Sequence, residues 1–265
     1  MKKTISLLVA LVMCLSLCAC GKSEEVIAVE KKIASIGEIT IDSTDAINAA
    51  RDAYDALSDE DKAKVENANV LREATFESLV IRCAEMNRHS SILSSGVVQV
   101  WEEFGGQEFW KWFDDVLRFK DENTLQEMKD YYATKEDSDG WKLLVWCAGY
   151  ALDKATFSDA EGVAKLPETD EEVAYAVALA TPIGRAYDVL PSMDESIRED
   201  VAQFIKDYKE QCSEECAVLQ EWSLESSVFA EFAVEPSGNL LDYQTKLAEY
   251  ESAMSRFQKE AEMLK

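Results

Sequence analysis

Residues 76–104 read FESLVIRCAEMNRHSSILSSGVVQVWEEF. Phe76, Leu79, Cys83, Met86, Ser90, Leu93, Val97, Val100 and Phe104 recur at alternating intervals of three and four. Side chains at that spacing fall on one stripe of an α-helix, and a stripe sustained over four heptads demands partner helices to cover it. The reading is one helix from about residue 69 to 104, about 50 Å long at roughly 1.5 Å per residue. Gly105-Gly106 stops it.

Three further stretches supply the partners. Leu240, Tyr243, Leu247, Tyr250, Met254, Phe257, Ala261 and Leu264 repeat the pattern at the C-terminus. Val173, Val177, Ala180, Tyr187 and Leu190 mark another helix, opened by a Thr169…Glu172 capping box and kinked at Pro182 and Gly184. A fourth is expected to start at Pro191-Ser192, with Glu195 closing a second box, and to run through Val201, Ile205, Tyr208, Cys212, Cys216 and Leu219 towards Phe232. Pro236-Ser237-Gly238 turns the chain into the last helix. Residues 69–265 therefore read as an all-α, elongated antiparallel four-helix-type bundle, with residues 107–166 as an aromatic-rich helical insertion. So long an insertion leaves the up-down order of the helices open.

Composition agrees. The 265 residues include only ten Gly and four Pro, which favours helices throughout, and six Trp at 47% hydrophobic content exclude a disordered chain. The net charge is −25. A field of that sign repels phosphates and so excludes a nucleic-acid partner. The acids are spread along helix faces as a solvated surface, and no Asp-x-Asp-x-Asp-Gly calcium loop is present.

The N-terminus gives a location. Lys2 and Lys3 precede an apolar run from Ile5 to Leu17, and Leu17-Cys18-Ala19-Cys20 follows. The run is shorter than the roughly 20 residues of a spanning helix and reads as an export signal. Its ending resembles the lipobox of bacterial lipoproteins. That resemblance implies cleavage after residue 19, a diacylglycerol thioether and palmitate-type chains on Cys20, and an extracytoplasmic body tied to the membrane by lipid alone. Cleavage removes two lysines and no acid, moving the charge from −25 to −27. Residues 20–32 are then expected to serve as anchor and spacer.

Residues 33–74 form a separate small unit. Asp42-Ser43-Thr44 offers cap oxygens to a helix bearing Ile47, Ala50, Tyr54 and Leu57 on one face, and Ser58 with Asp61 repeats the cap before a shorter helix that Asn67 ends. Ile36-Gly37, Ile39, Asp42-Ser43, Ala46-Ile47, Ala50-Arg51, Ala53-Tyr54-Asp55, Leu57, Lys62, Val65, Asn67 and Leu71 make it resemble a helical module of Gram-positive surface proteins. Thr75 departs from the acid expected after Ala74. The resemblance implies a spacer or attachment role at a Gram-positive surface and no catalytic set.

Candidate chemistry is sparse. His89, the only histidine, falls outside its helix stripe beside Arg88 and is expected to be exposed. Without it no Ser/His/Asp or Cys/His assembly exists, which disfavours an envelope hydrolase and any enzyme of that kind. Paired carboxylates are too abundant for any one pair to stand out. Cys83, Cys212 and Cys216 lie on apolar stripes and read first as packing, next as a disulfide of Cys83 with one of the other two; Cys-x-x-Cys metal spacing is absent, and no cofactor is implied.

The remaining candidate is the aromatic stretch Trp101 to Phe113. Trp110, Phe113 and Leu117 share one helix face, while Phe109, Trp112 and Val116 load its neighbour. Trp101, Phe109, Trp110, Trp112 and Phe113, with acids and Gln107 alongside, suit a sugar- or peptide-binding patch, unless the insertion simply buries them against the Trp141–Trp146 helix. The expectation is a lipid-anchored surface protein of non-catalytic type, with a protein or envelope-glycan partner or a structural role. The alternative is a ligand receptor or transporter accessory that uses the Trp101–Trp112 region.

Overall fold

The computed structural model describes residues 22–105, 108–121 and 123–264. Cys20 and the lipobox, and also Gly106 and Gln107, lie outside these residues. The fold is all-α: among the described residues every element is helical, and the one bridge is an isolated pairing of Ser158 with Ala164. No described helix is long and apolar enough to cross a membrane. The chain divides into two compact units, residues 1–78 and 79–265.

The first unit begins earlier than expected. Residues 24–32, read as spacer, belong to helix α1 (Glu24–Ala34), capped by the Ser23 hydroxyl, which accepts from the Val26 N–H at 3.2 Å. Val26, Val29 and Ile33 lie at 3-4 spacing and are 0–3% exposed. Burying side chains of this size is worth about 1.5–3 kcal/mol each, so α1 is structural to the unit and not a tether. They pack with Ile47 and Ala50 of α2 (Thr44–Asp55), and with Val65, Leu71 and Ala74. Glu30 ties α1 to the turn after the short α3 (Asp59–Lys62): its carboxylate accepts from Glu66 N–H at 2.8 Å, and its carbonyl from Asn67 Nδ2 at 3.0 Å. The Lys22 ammonium, 2.6 Å from the Glu30 carboxylate, holds that acid below its usual pKa. Gly37, at φ +72°, makes the turn after α1, a conformation that a side chain disfavours.

Helix α4 (Ala68–Phe104) is the single long helix its heptads predict; residues up to 78 belong to the first unit and the rest to the second. Within the second unit follow α5 (Phe109–Leu117), α6 (Thr124–Ala133), α7 (Gly140–Leu152), α8 (Asp170–Tyr208), α9 (Ser213–Val234) and α10 (Leu240–Met263). Contacts fix the order that the sequence leaves open. Arg82 of α4 reaches Asp200 of α8 at 2.6 Å, while Gly96, further along α4, faces Ile183, earlier in α8. Asp194 of α8 meets Ser227 of α9, and Leu190 and Val234 line one crevice. Ser226 of α9 lies 3.5 Å from Met254 of α10, whereas Phe232 stacks on Tyr243 at 4.2 Å. Glu102 at the end of α4 bonds Gln244 at the start of α10. Each neighbour pair is antiparallel, which gives an up-down-up-down bundle.

One expectation about α8 fails. The Thr169–Glu172 capping box forms, with Thr169 Oγ1 accepting from Glu172 N–H at 3.1 Å and the Glu172 carboxylate from Thr169 N–H at 3.2 Å. The helix then continues through both Pro182 and Pro191 to Tyr208, so no new helix starts at Pro191. Interior proline costs about 3 kcal/mol, and the burial of Leu190, Ile197, Val201 and Phe204 around it is of the size that offsets that cost. The break comes at Lys209–Cys212, where Cys212 leaves helical dihedrals as the N-cap of α9. Gly184 makes a close backbone contact. A Cβ there would lie 2.3 Å from the Phe119 carbonyl oxygen, so α8 touches backbone of the segment after α5 directly.

Candidate functional site

Helix α5 sorts the aromatic stretch by helical phase. Phe109, Phe113 and Val116, at 0–1% exposure, make its buried stripe. Trp110 and Trp112 are two residues apart, about 200° around a helix, and therefore flank that stripe on opposite edges. The five candidate rings do not form one surface. Phe109 and Phe113 are floor, and the two tryptophans face different neighbours.

On one edge the rings of Trp101 and Phe109 stack at 4.6 Å, and Trp101 also meets Tyr243 at 5.9 Å. Trp110 stands edge-on to Phe109 at 4.8 Å and is 49% exposed. On the other edge Trp112 stacks on Phe104 at 4.7 Å and meets Trp146 edge-on at 5.4 Å, while Trp146 lies 5.1 Å from Tyr150. Phe104, Trp112, Trp146 and Tyr150 are all half-buried, and the four rings, part stacked and part edge-on, make a partly exposed aromatic platform. Glu108 accepts from Trp112 Nε1 at 3.1 Å and fixes its ring. Lys154 pairs with Glu103 at 2.7 Å and lies 5.4 Å over the Tyr150 ring, closing one side of the platform with a charge pair. Trp146 Nε1 is buried with no hydrogen-bond partner among the described residues. Phe104, Trp146 and Tyr150 were missing from the sequence candidates. Trp146 and Tyr150 sit four apart on α7, a spacing that places them on one face, but only the fold brings that face to Trp112.

Asp115 lies on α5 three residues after Trp112, 8% exposed and 3.4 Å from Arg118. Burial raises its pKa above the usual carboxylate range, against the opposing pull of Arg118. Cys83, Cys147, Cys212 and Cys216 are free and buried, and desolvation pushes Cys83 and Cys216 up to about 12, so both thiols stay protonated at neutral pH. His89 is not exposed as expected: its side chain is 12% exposed and lies 3.3 Å from Glu85. Burial lowers its pKa, so it is neutral at physiological pH. Among the described residues no group of three His, Cys, Asp or Glu is placed to hold a metal ion. What the arrangement offers is partly exposed rings and a flanking ion pair, which suit binding by stacking and by hydrogen bonds to the charged groups.

No family model matches the chain, and no curated protein or solved structure matches it either.

Proposed function

We propose that this chain is a non-catalytic, lipid-anchored protein of a Gram-positive cell surface that binds an envelope glycan through the Phe104–Trp112–Trp146–Tyr150 platform. The observation that carries the reading is the platform itself: two tryptophans and two further rings held half-open and braced by Glu108 and the Glu103–Lys154 pair. Sugar rings present an apolar C–H face that stacks on indole, with hydroxyls around the edge for ammonium and carboxylate groups. The lipobox at Cys20 and the module resembling those of surface proteins support the location. The charge of −25 keeps the body off anionic headgroups, so that contact with the envelope comes through the uncharged ring faces.

Intrinsic fluorescence tests this reading. Soluble fragments of cell-wall polysaccharide should shift or quench tryptophan emission, and Trp112→Ala should remove most of the response while leaving the helical content unchanged. A chain that responds to no envelope fragment, or a Trp112→Ala variant that responds like the parent, refutes it.

A further inference from the structure

The bundle holds a second opening, unrelated to the platform. A crevice of about 340 Å³ lies between α4 and α10 and is lined by Asn87, Arg88, Ser91, Trp222, Glu251 and Ser255, among others. At ~1.5 Å per residue it sits about 20 Å along α4 from Phe104. Its volume falls in the range of small-molecule sites, roughly 300–1,000 Å³.

The floor of this crevice is unusual for a heptad core. Asn87 is 7% exposed and Trp222 0%. Both polar atoms of the Asn87 carboxamide, and Trp222 Nε1, are buried without a hydrogen-bond partner. Each orphaned group costs about 1–3 kcal/mol, which an apolar residue at the same position avoids. A carboxamide and an indole N–H lining one crevice present two kinds of donor and one acceptor. The walls add opposite charges, Arg88 from α4 and Glu251 from α10. Glu85 holds the Arg88 guanidinium through Nε at 2.8 Å and Nη2 at 2.5 Å, which orients it and leaves Nη1 for a ligand.

We propose that this crevice binds a small zwitterion, an α-amino acid or dipeptide. Its carboxylate meets Arg88 and its ammonium meets Glu251. Its carbonyl or amide pairs with Trp222 Nε1–H and with the Asn87 carboxamide, turned about its side-chain torsions into the crevice. A zwitterion carries no net charge, so the chain's negative field does not repel it as it repels an anion. A neutral sugar offers no ammonium to the Glu251 carboxylate and no carboxylate to the free face of Arg88. The proposal stands on residues that the glycan reading does not use, so either one fails without the other.

Proton–nitrogen correlation spectra of the isotope-labelled full chain test it, because the assigned Trp222 indole N–H reports directly on a new hydrogen bond. L-Glutamine and glycylglycine, titrated to about 10 mM, should move the Trp222 signal in a saturable way. Arg88→Gln and Glu251→Gln, both at exposed positions, should each weaken that titration at least ~10-fold, as expected for loss of a charge-assisted contact. Asn87→Leu should abolish it. An unmoved Trp222 signal overturns the proposal, and so does a signal that N-acetylglucosamine moves equally well. Unchanged affinity in the two charge variants, or a crystal structure with only ordered water on Asn87 and Trp222 at saturating probe, overturns it too.

Discussion

Replacing Gly184 by alanine should destabilise the second unit, although the same change inside a helix ordinarily stabilises. Alanine gains about 1 kcal/mol over glycine in a helix interior. Here the added Cβ meets the Phe119 carbonyl oxygen at 2.3 Å, the Phe119 carbonyl carbon at 2.8 Å and the Leu117 carbonyl oxygen at 3.0 Å. All three are backbone atoms, which cannot swing aside as a flexible side chain can. Overpacking costs about 1–3 kcal/mol, and a clash with backbone atoms puts this site in the upper part of that range, about 2–3 kcal/mol. The net loss should be about 1–2 kcal/mol, or a fall in melting temperature of about 3–6 °C for a unit of this size. Thermal melting followed by circular dichroism measures it, with Ser192→Ala at an exposed position of the same helix as control, expected within about 0.5 kcal/mol of the parent. A Gly184→Ala variant as stable as the parent, or more so, would falsify the direct contact of α8 with the segment after α5. The platform's position would then lose its support, since that contact helps hold α5 on the bundle.

Asp115→Asn should raise the melting temperature at neutral pH. Burial raises the folded-state pKa of Asp115, so its contribution to stability is full below the ordinary carboxylate range and is lost as pH rises through the folded value. The gain of the Asn variant should shrink as the solution is acidified, and a gain independent of pH contradicts the assignment. Thr169→Ala should cost about 1 kcal/mol by opening the capping box. The partner Glu172 is held down to about 2 by the Glu168 N–H first, then by Lys165 and the Thr169 N–H. Its share of stability is therefore present above the ordinary glutamate range and lost as pH falls towards about 2; an acid melting profile of Glu172→Ala that parallels the parent argues against it. Cys20→Ser should abolish incorporation of labelled fatty acid and release the chain into the medium, and retention of label in that variant sinks the anchoring proposal.

The parts of the fold that were legible are those written as spacing. The stripes of α4 and α10 announce themselves because heptad periodicity survives whatever the partner is. The order of the helices was not legible, since antiparallel pairing rests on contacts such as Arg82–Asp200 and Phe232–Tyr243, far apart in the chain. Pro191 misled because local propensity was outweighed by the burial of Leu190 and Ile197 on either side of it. Helix α1 was hidden by its Glu- and Lys-rich surface, although Val26, Val29 and Ile33 already stood at helical spacing. At the site, phase alone separates Trp110 from Trp112, but which flank stays open depends on what covers it. Phe104 and Trp146 cover Trp112 only in part, and that arrangement comes from packing of α7 against α5 and the end of α4. His89 shows the converse: a position off its own helix's stripe is still largely buried.

Co-sedimentation of the chain with purified, protein-free Gram-positive cell walls tests the central claim most directly. Full-length protein should pellet with the walls saturably and should be displaced by soluble wall polysaccharide. Trp112→Ala and Trp146→Ala, if these rings are binding anchors worth about 2 kcal/mol each, should weaken binding about 30-fold. No saturable binding to walls, or undiminished binding by both variants, contradicts the account.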